Sequence, residues 1–295
     1  MPLNFPAVDA SQGVEKGALY VVATPIGHLE DITLRALRVL SGVDMVAAED
    51  TRHTALMFSR YQISSPLISY HDHNEAERAP QFIQKLLDGA SIALVSDAGT
   101  PSVSDPGYRL ICAAVQAGIK VIPVPGVSAA IAALSVSGLP TDAFVFLGFP
   151  PKKQVRRIAL LKDIENEVRT LIFYESPRRV LSFLNDALAV LGDRPGVVCR
   201  EMTKRYEEFI RGSISDMLAD LSGRKEIKGE CTLVFSGKKK DNLISAESLK
   251  NGVLEYLMDP SESPGELAKK IALKFGISRK TAYQMILSEK TKGGQ

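Results

Sequence analysis

Short apolar runs rich in β-branched and aromatic residues recur along the first half of the chain. Each is ended by a turn-forming segment and followed by apolar positions at helical spacing. Residues 18–23 predict a buried strand, broken at Thr24-Pro25-Ile26-Gly27. Asp31 is then the expected N-cap of a helix running to about Ser41, with Leu34, Leu37, Arg38 and Leu40 on its turns. Residues 45–48, 92–95 and 120–124 predict three more strands, the second ended by Ser96-Asp97-Ala98-Gly99-Thr100-Pro101 and the third by Pro125-Gly126. Helices are expected from about Pro106 to Ala117 and from Ala129 to Ser137, the latter capped by Ser128. Strand, turn and helix in this alternation predict an α/β domain with a largely parallel sheet over residues 17–138.

The second half changes texture. Strands are expected at 144–147, 170–174, 196–199 and 231–235, separated by helices at about 154–166, 177–191 and 213–222. This predicts a second α/β domain over 139–237, joined to the first through Gly138–Asp142, its sheet open to mixed pairing. Residues 1–16 read as a leader, Lys238-Lys239-Lys240 as a linker, and the remainder to 295 as a small helical tail.

Composition adds limits. With 295 residues, 45% hydrophobic and 24% charged, the chain is long enough for two packed domains. The net charge of +2 excludes a uniformly basic surface, but residues 238–295 carry 11 Lys/Arg against 7 Asp/Glu, a balance of +4, which leaves −2 for the rest. Three widely spaced cysteines argue against a disulfide framework and for a reducing compartment. No apolar run reaches the length of a membrane helix, and the first residues lack the pattern of a signal peptide, so the expected location is cytoplasmic.

The chemistry is first defined by an absence. No two glycines stand two apart, so the dinucleotide fingerprint is missing, as is the Gly-Lys-Ser/Thr end of a phosphate loop. In their place stand three turns at predicted strand ends: residues 23–27, 96–101 and 125–128. Strand carboxyl ends are where open α/β sheets bind ligands, and glycine with small neighbours leaves room for a flat molecule. Each turn alone is equally well a tight connection. Four charged segments also end strands or follow them: residues 48–53, 70–75, 174–179 and 200–204. Each reads either as site chemistry or as a solvated rim. His71 and His73 flank Asp72 but lack zinc-site spacing, so no metal is expected. No Gly-x-Ser-x-Gly occurs, and Cys112 falls within a predicted helix as a structural thiol.

The tail has a pattern of its own. Ser263-Pro264 opens a helix with Leu267, Ala268, Ile271 and Ala272 on one face, Gly276 ends it, and Ser278 caps a second helix. This has the form of a helix-turn-helix, with Arg279, Lys280, Tyr283 and Gln284 outward and suited to phosphate or base edges. A helical hairpin with a packing role fits the same pattern.

Taken together, the turns and charged segments at 23–29, 47–54, 69–75, 96–107, 125–133, 138–142, 174–179 and 200–204 resemble the tetrapyrrole methylase superfamily. Within it they resemble the bacterial ribosomal small-subunit RNA 2′-O-methyltransferase I family. The resemblance covers about 17–237 and, more weakly, the tail. Three positions depart from the family pattern: His28, Val127 and Arg178 stand where Asn, Pro and His are expected.

The resemblance implies two α/β domains with S-adenosylmethionine in the cleft between them, a homodimer, and methylation of a cytidine ribose 2′-hydroxyl in 16S ribosomal RNA. Carried onto matching positions, it implies a cofactor pocket of Pro25, Ser96, Asp97, Ala98, Gly99, Pro101, Ser128 and Ala129, closed by Tyr174. Methyl transfer needs alignment and a base rather than a metal. Asp50, Glu175 and Glu201 are the candidate carboxylates, with Asp50 and Glu201 favoured and Lys204 added if its pKa is depressed. Arg52, Arg178 and Arg179 are the expected phosphate contacts. A methylase of small corrin or porphyrin substrates, and a ligand-sensing DNA-binding regulator, stand as alternatives.

Overall fold

The computed structural model describes residues 13–239, Val253, 263–275 and 278–292. Most of the expected leader (1–12), Lys240 of the linker, and Gly276 lie outside the described residues. Two units result, residues 1–238 and 239–295.

The first unit holds two five-stranded sheets. Strands β1 (Ala18–Val22), β2 (Met45–Ala48), β3 (Leu67–Ser69), β4 (Ile92–Val95) and β5 (Lys120–Val124) form the first, in the order β3-β2-β4-β1-β5. Every pairing is parallel, so all five carboxyl ends share one edge. Because β4, β1 and β5 are neighbours, the three turns that follow them stand side by side. Helices cover both faces, as continuous apolar strands require. Tyr20, Val22, Val46, Ala48, Ala93 and Val95 pack towards α1 (Leu34–Gly42) and α2 (Thr51–Tyr61). Leu19, Ala47, Ile92 and Leu94 pack towards α3 (Glu75–Leu87) and α4 (Tyr108–Gln116).

The second sheet, β6 (Phe144–Phe146), β7 (Thr170–Glu175), β8 (Pro195–Arg200), β9 (Glu208–Ser213) and β10 (Cys231–Phe235), runs β6-β7-β10-β8-β9. It is mixed: only β6 and β7 pair in parallel. Leu171, Phe173, Val198, Leu233 and Phe235 face α6 (Gln154–Asp163), α7 (Val180–Leu191) and α8 (Ile214–Ser222). The other face, Ile172, Val197, Cys199 and Val234, packs on Ala130, Ala133 and Leu134 of α5 (Ala129–Val136). Helix α5 therefore leaves the β5 turn of the first sheet and buries itself against the second.

Several local expectations are corrected. Asp31 is not a cap: residues Leu29–Asp31 form a 3-10 turn, and Thr33 caps α1 by accepting the Ala36 N–H at 3.1 Å. Helix α4 starts at Tyr108, two residues after Pro106, because Gly107 carries a positive φ of 137°. The last leader residues are tied down: the Glu15 N–H donates to the Tyr20 hydroxyl at 2.7 Å, and Lys120 pairs with Glu15 at 2.6 Å.

Beneath α6 and α7 a buried ion pair joins Arg157 and Asp186, 4% and 7% exposed, at 2.5 Å, with Gln154 donating to the second carboxylate oxygen at 2.9 Å. Removing one member leaves the other charge dry. Asp186→Ala is expected to cost about 3–5 kcal/mol, read as a lower urea midpoint with an unchanged slope.

Among its described residues the second unit holds two complete helices, α9 (Pro264–Phe275) and α10 (Arg279–Lys292), and Val253 is helical too. Its core is Val253, Leu267, Ala268, Ile271, Ala282 and Ile286. Ser278 caps α10 by accepting the Thr281 N–H at 3.0 Å. Arg279, Lys280, Tyr283 and Gln284 are exposed. Among the described residues no helix is long and apolar enough to cross a membrane.

Candidate active site

The three turns at the first sheet's edge are laced to one another. Thr24 and Gly99 exchange backbone hydrogen bonds at 2.9 and 3.0 Å, which ties the β1 turn to the β4 turn. The Thr24 hydroxyl donates to Ser96 O at 3.2 Å, and the Thr100 hydroxyl donates to Val127 O at 3.1 Å, binding the β4 turn to the β5 turn. Gly99 sits at φ +81°, which a side chain would strain.

Beneath these turns, facing the second sheet, lies a cavity of about 380 Å³. Its first-sheet wall is Ile26, Glu49, Asp97, Ala98, Gly99, Thr100, Val103, Asp105, Ser128 and Ala129. Its other wall comes from β7 and β10 with their neighbours: Phe149, Tyr174, Glu175, Met202, Glu230 and Thr232. Of the cofactor residues implied by resemblance, Asp97, Ala98, Gly99, Ser128, Ala129 and Tyr174 line it. Pro25, Ser96 and Pro101 stand behind it and shape the turns. Ser96 is buried, and its hydroxyl donates to Ala98 O at 3.3 Å.

Tyr174 fixes the floor. Its ring meets Phe146 and Phe149 edge-on at 4.9 and 5.5 Å, and its hydroxyl accepts the Ala130 N–H at 3.0 Å. Burial raises its pKa. Ser128 occupies the N-cap position of α5 but makes no side-chain cap bond, so its hydroxyl remains on the cavity wall. Cys231, also on the wall, is buried and its thiol is pushed up to about 12, which leaves it protonated and poorly nucleophilic.

Seven carboxylates surround the cavity, in two kinds. Glu175 is 1% exposed and pairs with Arg179 at 2.6 Å, its other oxygen without a hydrogen-bond partner. Glu201 and Glu230 both pair with Lys204 at 3.0 Å. Asp50 caps α2, accepting the Arg52 N–H at 2.8 Å and pairing with its guanidinium at 2.7 Å; the hydrogen bonds from Arg52 hold Asp50 well below the usual carboxylate range. The other three, Glu49, Asp97 and Asp105, line the first-sheet wall with no ion pair among the described residues. Asp97 joins strand ends: it accepts the Asp50 N–H at 3.0 Å, and its own N–H donates to Glu49 at 3.3 Å. Asp105 is pushed up to about 7, first by burial and then by the charge of Glu49, against a hydrogen bond from Ser96. Burial likewise raises Glu49.

Asp50, Glu201 and Lys204, the catalytic candidates from sequence, are brought close to this site but none lines the cavity. The condition placed on Lys204 fails. Burial works to lower its pKa, but hydrogen bonds to Glu201 and Glu230 outweigh it and leave the pKa raised, so the side chain stays an ammonium. The corner it occupies is tightly built. Glu201 and Thr203 take φ values of +51° and +62°, and the Thr203 hydroxyl accepts the His28 N–H at 3.0 Å. A Cβ on Gly27 would meet Lys204 Cγ at 2.5 Å, so glycine there lets the β1 turn dock on this corner. Strained backbone of this kind concentrates at functional sites. Glu49, Asp105, Phe149, Glu230 and Thr232 are lining residues that the sequence reading did not single out. Glu49 and Asp105 lie inside quoted motifs. The others come from the second sheet and carry no local signal.

Among expected RNA contacts, Arg178 is exposed, Arg179 is spent on Glu175, and Arg52 on Asp50. Arg279 and Lys280 lie in the second unit. Among the described residues no group of His, Cys, Asp and Glu could hold a metal ion.

The profile of the tetrapyrrole (corrin/porphyrin) methylases matches residues 18–218. Ribosomal RNA small subunit methyltransferase I of Halalkalibacterium halodurans is 43% identical over 280 residues, covering 93% of this chain and 96% of its own. The protein of that description from Haemophilus influenzae is 46% identical, covering 92% and 97%. Among solved structures, a cobalt precorrin-4 methyltransferase matches 75% of this chain and 95% of its own with a TM-score of 0.55 at 16% identity. Uroporphyrin-III C-methyltransferase from Thermus thermophilus, complexed with S-adenosylhomocysteine, matches 74% and 97% with a TM-score of 0.51 at 18% identity. These two establish likeness of fold. On the profile and the sequence relatives, the chain belongs to the tetrapyrrole (corrin/porphyrin) methylase family, in its ribosomal RNA small subunit methyltransferase I branch.

Proposed function

We propose that the protein methylates the ribose 2′-hydroxyl of a cytidine in 16S ribosomal RNA of the small subunit, with S-adenosylmethionine as donor, and that it works as a cytoplasmic homodimer. The observation that carries this reading is the cavity under three laced turns, walled on one side by small residues and on the other by aromatic and apolar ones. Its volume is in the range of small-molecule sites. The relatives' description supplies the substrate class.

The cavity suits the donor. Ala98, Gly99, Ser128 and Ala129 leave space for a flat base, Ile26, Met202 and Tyr174 supply apolar cover, and cation-free carboxylates complement a positively charged ligand. When bound, S-adenosylmethionine supplies an electrophilic methyl group with its own leaving group. The protein's part is to align the acceptor oxygen, exclude water and remove a proton. Asp105 is the proton acceptor in this reading. It lines the cavity, lacks a cation partner, and its pKa lies where a base works best. Asp50, Glu201 and Lys204 hold the cavity's rim, and Arg52 meets phosphate only by sharing itself with Asp50.

The test is transfer of labelled methyl from S-adenosylmethionine to 30S subunits, with a corrinoid as the competing acceptor. Label in alkali-stable dinucleotides from 16S RNA is expected. Label in the corrinoid alone would support the small-substrate alternative, and label in neither would remove the methyltransferase reading.

A further inference from the structure

A second concavity lies beside the donor cavity, and the two share Pro177. It is an open groove of about 520 Å³ between the start of α7 and the segment that leads into β10. At its far end Gly229 lines the groove, and the next residue, Glu230, lines the cavity. The groove and the donor site therefore adjoin at Pro177 and at the step from Gly229 to Glu230.

The groove is basic. Arg178, Lys225 and Lys228 stand exposed along it. Arg178 and Lys225 have no ion pair among the described residues, and Lys228 has only an exposed partner, Glu226, at 3.0 Å. Arg224 differs: it is fixed to Glu208 at 2.7 Å and Asp220 at 2.6 Å, so it builds the wall rather than offering charge. At the lip of the donor cavity stands Phe149, 55% exposed although its ring packs edge-on against Tyr174. Its position is braced, because Arg179 donates to the carbonyl of the adjacent Pro150 at 3.3 Å.

An exposed, braced aromatic beside a line of exposed cations, two without an ion pair among the described residues and the third held only by an exposed carboxylate, is the arrangement that holds single-stranded nucleic acid. Bases stack on the ring, and phosphates follow the charge. On the reading that the substrate is ribosomal RNA, we propose that Phe149 stacks the base of the nucleotide presented to the cavity, and that Arg178, Lys225 and Lys228 hold the phosphates of the adjoining strand in the groove. The chain's near-neutral net charge is then no obstacle, since the cations needed are gathered at the site of use.

The experiment uses the full chain and a single-stranded fragment of small-subunit ribosomal RNA, with binding read by fluorescence anisotropy across a salt series. The triple variant Arg178→Glu, Lys225→Glu and Lys228→Glu is expected to weaken binding at least tenfold. Each lost phosphate contact should flatten the slope of log affinity against log salt by about 0.7, roughly 2 for three. Phe149→Ala should weaken binding with the slope unchanged, and Phe149→Trp should restore it. Affinity for S-adenosylhomocysteine, read by calorimetry on the triple variant, should remain that of the parent protein. An unchanged slope and affinity in the triple variant overturns the groove. Because the readout is binding, it separates from the methyl-transfer assay: turnover on 30S subunits with no groove effect refutes this inference alone.

Discussion

Asp105→Asn is expected to lower kcat for methyl transfer by about 100- to 10,000-fold, the range for loss of a positioned base, while leaving donor affinity within a few fold. The argument is one of elimination followed by electrostatics. Around the cavity, Glu175, Glu201, Glu230 and Asp50 are each paired with a cation, which competes for the oxygen that would take a substrate proton. Burial raises the Glu175 pKa, but Arg179 pulls it the other way and holds one of its oxygens. Asp97 and Glu49 each accept a backbone N–H at the strand ends. Asp105 remains, half-buried and near the like charges of Glu49 and Asp97, with its pKa pushed up to about 7, first by burial. The rate of the parent protein should therefore rise with pH, reach half its plateau near pH 7, and lose that inflection in the variant. Stability should move the opposite way. A carboxyl whose folded pKa is raised destabilises the fold once it is forced to ionise, so stability falls as pH climbs from the ordinary carboxylate range through 7. Asn removes that cost. The variant should melt about 2–4 °C higher at pH 8, the shift that accompanies about 1 kcal/mol in a protein of this size, and equal to the parent near pH 4. A variant that keeps both its kcat and its inflection would show that Asp105 does not take the proton.

What the chain's own pattern disclosed was the part of the site that is local. The turns after β1, β4 and β5 are legible because the glycine or proline that bends each also leaves the space beneath it, so one short motif encodes both the connection and the cavity wall. Charged segments were harder to read. Residues 48–53 and 70–75 fit site chemistry and a solvated rim equally well by pattern, and the structure shows that they also open α2 and α3, with Asp50 and Asn74 at the N-cap positions. Ion-pairing residues at a helix start and at a water-exposed edge look the same without a partner in view. Strand β9 went unseen because it is an edge strand in which only Ile210 is buried. The second wall of the cavity has no motif at all. Glu230 and Thr232 reach Asp97 and Asp105 only because α5 carries the chain from one sheet onto the face of the other. Lys204 shows the limit of residue type alone: a lysine near a site was a candidate base until two carboxylates beside it fixed its charge.

Asp97→Ala should abolish measurable donor binding, a loss of at least about 100-fold by calorimetry with S-adenosylhomocysteine. Two effects combine. The side chain is part of the cavity wall, and it also accepts the Asp50 N–H at 3.0 Å, which fixes the end of β2 against the end of β4. Losing that acceptor leaves a partly buried donor unpaired, at about 1–3 kcal/mol, and frees Glu49 and the start of α2 to shift away from the cavity. Asp97→Asn separates the two effects, since an amide oxygen can still accept the Asp50 N–H but carries no charge. If position matters most, Asn should recover most of the affinity that Ala loses. If charge matters most, Asn should bind nearly as poorly as Ala while its melting temperature returns to that of the parent. Asp97→Ala protein that binds with the parent's affinity would show that the turn after β4 is not the donor's seat.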